Sequence, residues 1–86
     1  MQMESVAVLR WIDSATLAEG EDAVVAVLEA ALREAVNANG LVASGPMVVR
    51  PSSVEEYPHT EAGRPSDDPG ALLHLAEVDV ATPEAN

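Results

Sequence analysis

The sequence predicts an α+β domain. We read a three-stranded antiparallel-type sheet with one long amphipathic helix on one face, in strand-helix-strand-strand order. Three observations carry that reading. An apolar run near the start, VAVLRWI, has strand character. A long Ala/Val/Leu stretch repeats with helical period and stops at Asn39-Gly40. Two later apolar runs are separated by a Pro/Gly-rich segment.

The first strand is expected over residues 3–12. Val6, Ala7, Val8 and Leu9 form a continuous apolar centre, as in a strand covered on more than one side. Alternation places Val6, Val8, Arg10 and Ile12 on one face and Ser5, Ala7, Leu9 and Trp11 on the other. Residues 13–20 read as a connector, with Asp13 and Ser14 as turn or cap residues. The helix follows over residues 21–37. At 100° per residue, Val24, Val25, Val27, Leu28, Ala31, Leu32, Ala35 and Val36 fill one half of the wheel. Glu29 and Arg33 are spaced for a helical ion pair, and Glu21 and Asp22 suit the positive end of the helix dipole.

Residues 41–46 read as a connector, in which Gly45-Pro46 launches a second strand, Met47 to Arg50. Pro51 interrupts that strand or marks it as an edge. Residues 58–70 are expected to be loop, long for a compact domain and therefore functional or mobile. Residues 71–80 form the third strand. Leu73, Leu75, Glu77 and Asp79 share one face; Leu72, His74, Ala76, Val78 and Val80 share the other. The domain is expected over residues 1–81, with a flexible tail over 82–86. One helix covers one sheet face. The other face keeps apolar residues, which points to a second copy or a partner as its cover.

Composition bounds the function. The chain has 86 residues, 15 acids, four basic residues and a net charge of −11. Such a charge repels nucleic-acid phosphates, so no direct nucleic-acid binding is expected. It favours cationic ligands or a basic protein surface. With no cysteine, disulfides, thiolate nucleophiles and thiolate metal sites are excluded. No export signal or membrane-length apolar run is recognised, so a cytoplasmic protein without membrane attachment is expected.

We identify no catalytic set, no metal site and no cofactor. His59 and His74 lack the company that a metal site needs. There is no Gly-x-Ser-x-Gly elbow, phosphate loop or dinucleotide fingerprint. Glu77 and Asp79 point to one face; they are either solvated acids or part of a cation site with Trp11 or Tyr57 through cation–π contact.

The segments VAVLRWI, NGLVASGPMVV and LLHLAEVDVATP, in this order around the helix, resemble the gyrase-inhibitor-like (GyrI-like) superfamily of small-molecule-binding domains. That group resembles a tandem pair of strand-helix-strand-strand units with a cleft between them. This chain carries one unit, and lacks the Gly-Pro-Tyr-like step after its first strand. The resemblance implies a homodimer that rebuilds the cleft. The resulting expectation is a non-enzymatic binding module for a small hydrophobic or cationic molecule. Its site would lie across a homodimer, with Trp11, Tyr57, Glu77 and Asp79 as contacts. The alternative is a small acidic inhibitor, bacterial or phage-encoded, that docks on a partner protein.

Overall fold

The computed structural model describes residues 4–83. The expected first strand residue Met3 and the tail over 84–86 lie outside the described residues. In chain order the elements are β1 (Glu4–Ile12), α1 (Ser14–Glu19), α2 (Glu21–Ala38), β2 (Val42–Ala43), β3 (Val48–Pro51), a 3-10 turn (Pro58–Gly63) and β4 (Leu72–Ala81). The α+β class and the antiparallel sheet are as expected. Two details are corrected: the sheet has four strands rather than three, and the helical part is two helices rather than one long one.

The extra helix comes from the supposed connector. Asp13 accepts a hydrogen bond from the Thr16 backbone N–H at 2.7 Å, and so caps α1. Hydrogen bonding from Thr16, its side chain first and then its backbone N–H, stabilises the carboxylate and holds its pKa below the ordinary aspartate value. The helix ends after six residues because Gly20 has φ of 108°, which α-helical geometry excludes. Two helices therefore meet at one glycine.

The far end of α2 is a Schellman closure. Gly40 has φ of 67°. Its N–H donates to the Asn37 carbonyl at 3.0 Å, and the Leu41 N–H donates to the Val36 carbonyl at 3.1 Å. The Asn39 side chain adds a bond from Nδ2 to the Ala35 carbonyl at 2.7 Å. The chain then turns back to the sheet. Ser44 donates its N–H to the Asp79 carbonyl at 2.8 Å, next to the two-residue β2. Met47 precedes β3 rather than belonging to it.

The long strand β4 is the spine. It pairs antiparallel with β1 on one edge, from Glu4 opposite Val80 to Ile12 opposite Leu72. On its other edge it pairs antiparallel with β2 and then β3. Helix α2 buries Val24, Leu28, Leu32 and Val36, at intervals of four, against the face carrying Val8, Ile12, Ala76, Val78 and Val80. Val27, placed in the apolar half of the wheel, is exposed: the stripe that meets the core is Val24, Leu28, Leu32 and Val36, flanked by half-buried Ala31 and Ala35.

The opposite sheet face is not left bare along its whole length. Leu73 and Leu75 face away from α2, yet they are 2% and 9% exposed. Residues 52–70 fold over that end of the sheet. Trp11, the register partner of Leu73, donates its indole N–H to the Thr60 carbonyl at 2.9 Å. Gly63 lies against the same indole ring. The segment is pinned at both ends: the Ser52 N–H donates to the Leu73 carbonyl at 2.9 Å, and the Ser14 N–H donates to Asp68 Oδ2 at 2.9 Å. The bond from Ser14 also lowers the pKa of Asp68. Thus the expected loop over residues 58–70 contains a 3-10 turn and belongs to a partly exposed cover over this end of the sheet, which does part of the work assigned to a second copy.

Candidate functional site

The four expected contact residues share one side of the sheet but separate into two groups. Trp11, Glu77 and Asp79 are all on the face opposite α2, and Tyr57 belongs to the segment folded over that face. Trp11 and Tyr57 lie together. The Tyr57 carbonyl accepts from Thr60 Oγ1 at 2.7 Å, and the Thr60 carbonyl accepts from Trp11. Tyr57 Oη meets Arg50 Nη2 at 3.3 Å, and its ring stands edge-on to His59. Glu77 lies four residues along β4 from the partner of Trp11, roughly 13 Å away at about 3.3 Å per residue. Both Glu77 and Asp79 are exposed. Glu77 Oε2 accepts from Ser5 Oγ at 3.4 Å, and Asp79 lies beside Gly45.

The aromatic half of this set already holds a cation. The Arg64 guanidinium carbon sits 5.2 Å from the Trp11 ring centroid. Arg64 is also paired with Glu61 at 3.3 Å, within the same 3-10 turn region. The chain therefore supplies internally the cation–π contact expected from a ligand.

A different concavity lies on the helix side. The C-terminal half of α2 and residues 41–47 enclose a groove of about 430 Å³. Leu32 and Val36 of α2, Leu41, Val42 and Met47 of the returning chain, and Val78 of β4 give it an apolar lining. Glu29 and Arg33 stand at its rim, joined by an ion pair of 2.7 Å between exposed side chains. The groove exists because α2 packs over β1 and β4 but does not reach across to the β3 edge. Half-buried Leu41, Met47 and Val49 fill the angle only in part. A second, smaller hollow of about 280 Å³ continues past the N-terminal half of α2, near Val49 and His74.

The segment NGLVASGPM thus forms a wall of the groove as well as a joint. Leu41, Val42 and Met47 were not among the expected contacts. The available signal was their apolar character in a stretch otherwise read as connector. Among the described residues, no group of three or more His, Cys, Asp or Glu side chains could hold a metal ion. No described helix is long and apolar enough to cross a membrane. Comparison with known families, curated proteins and solved structures finds no match.

Proposed function

We propose that this chain is a non-enzymatic binding module for a small hydrophobic molecule, with cations preferred, held in the groove between α2 and residues 41–47. The groove itself carries the reading. Its volume of about 430 Å³ falls in the usual range for small-ligand sites, roughly 300–1,000 Å³. Its lining is more apolar than polar, with Glu29, Arg33 and Asn37 beside the aliphatic residues, and Met47 adds an adaptable side chain of the kind that suits varied ligand shapes. The preference for cations rests on the net charge of −11, which raises the local concentration of positive solutes. Glu29 at the rim is already paired with Arg33, so the preference rests on the net charge alone. The resemblance to a GyrI-like unit points to the same class of ligand. The groove belongs to one chain, so this reading needs no second copy to complete the site.

A lipophilic cationic dye and a neutral analogue of similar size provide the test, by fluorescence titration. Saturable binding is expected, tighter for the cation. Val42→Arg places a charge in the groove at a residue that is 47% exposed, without touching the buried core. It should weaken cationic dye binding by about tenfold or more, equivalent to about 1.4 kcal/mol, with the thermal midpoint little changed. Absence of saturable binding would sink the proposal. So would binding that ignores Val42→Arg and is lost on Glu77→Gln, since the site would then be the open sheet face.

A further inference from the structure

The outer edge of β1 is the longest unpaired stretch of backbone in the described sheet. Strand order puts β4 on one side of β1 and nothing of the sheet on the other. The hydrogen-bond direction along this edge can be read from three contacts. On β4, the Leu73 and Asp79 carbonyls accept from Ser52 and Ser44, so the odd-numbered residues of β4 point toward β2 and β3. Its even-numbered residues therefore bond to β1. Their register partners Val6, Val8 and Arg10 are the inward-bonding residues of β1. Ser5, Ala7, Leu9 and Trp11 direct their N–H and C=O groups outward. The Leu9 carbonyl confirms this, because it accepts a hydrogen bond from Arg10 Nη1 at 2.9 Å.

Edges of this length are ordinarily protected by proline, lysine, a bulge or a covering element. Residues 4–12 contain no proline and no lysine. Their charges are Glu4 and Arg10, which lie on the same face and are equidistant from Ala7. An antiparallel partner of identical sequence, related by a two-fold axis through Ala7, meets both conditions of the edge. Ala7 opposes Ala7, and Ser5 opposes Leu9 in both directions, so the outward groups form about six backbone hydrogen bonds. The flanking pairs are Val6 with Val8 and Glu4 with Arg10, each formed twice. The guanidinium leaves the Leu9 carbonyl, which takes the Ser5 N–H of the other copy, and turns to the opposing Glu4.

We propose that β1 pairs with β1 of a second copy in this register, which joins two sheets into one and links Glu4 to Arg10 across the interface. The inference goes beyond the ligand-binding reading and is independent of it, because the groove borders the opposite edge of the sheet.

Sedimentation velocity on the intact chain tests it. The wild type should sediment at twice 9.0 kDa. Ala7→Pro removes an outward N–H that β4 does not use, and should give the 9.0 kDa species with its circular dichroism retained. Glu4→Arg, at an exposed position, should weaken the dimer by about tenfold or more, and Glu4→Arg/Arg10→Glu should restore it. If Ala7→Pro does not fold, the charge pair decides alone. A wild type that stays monomeric at its highest soluble concentration, including one that pairs only with a different protein, overturns the proposal. A dimer indifferent to Glu4→Arg also overturns it.

Discussion

At the scale of single residues, two glycines bound the main helix for different reasons. Gly40 sits at φ 67°, in the left-handed helical region, where asparagine is also tolerated. Gly20 sits at φ 108° and ψ 177°, a region essentially closed to other residues. A Cβ at either position meets nothing within 4 Å, so backbone strain alone sets the cost of substitution. Gly40→Ala should cost about 1 kcal/mol. Gly20→Ala should cost more, about 1–3 kcal/mol. Chemical denaturation of the two variants measures the difference, and Gly40→Asn should stay closer to wild type than Gly20→Asn. The helix stop at Gly40 was legible from Asn-Gly after an apolar periodic run. The break at Gly20 was not, because "Ala-Glu-Gly-Glu" reads equally as a connector or as a hinge between helices.

At the scale of elements, the segment over residues 52–70 changes the account of the open sheet face. Its Pro and Gly content marks it as irregular, but composition does not say where an irregular segment lies. Trp11 decides that: its indole N–H needs an acceptor when covered, and the Thr60 carbonyl supplies one. Trp11→Ala should remove both the bond and the surface on which Gly63 rests. We expect a loss of about 2–4 kcal/mol, in the range for truncating a large packed side chain. Hydrogen exchange at Leu73 and Leu75 should speed up, while exchange in α2 below the global unfolding limit should change little. Equal acceleration in both would show that the cover does not open separately.

At the scale of the whole molecule, charge sets the balance. Three of the four arginines are already paired with acids, Arg33 with Glu29, Arg50 with Glu56 and Arg64 with Glu61. All three pairs are exposed, and such pairs contribute about 0–1 kcal/mol each. Against them stands a net charge of −11 spread over a small surface. Mutual repulsion among the remaining acids should outweigh the pairs. Thermal stability should therefore rise as salt is added from low ionic strength, because screening weakens the repulsion more than the few attractions. A melting temperature that falls with added sodium chloride would mean that the ion pairs dominate.

Periodicity and turn chemistry alone determined the α+β class, the extent of α2 at its C-terminus, and the face assignments of β1 and β4. Those are local properties: side-chain spacing dictates which residues can lie on one side of a helix or strand. Tertiary structure alone decided three other points. It placed Trp11 beneath Arg64, so that an expected ligand contact is met from within the chain. It made Leu41, Val42 and Met47 the wall of a groove, since that depends on how far α2 reaches across the sheet. It left β1 at the sheet edge, because strand order follows from which strand lies between the others and not from the pattern within any one of them.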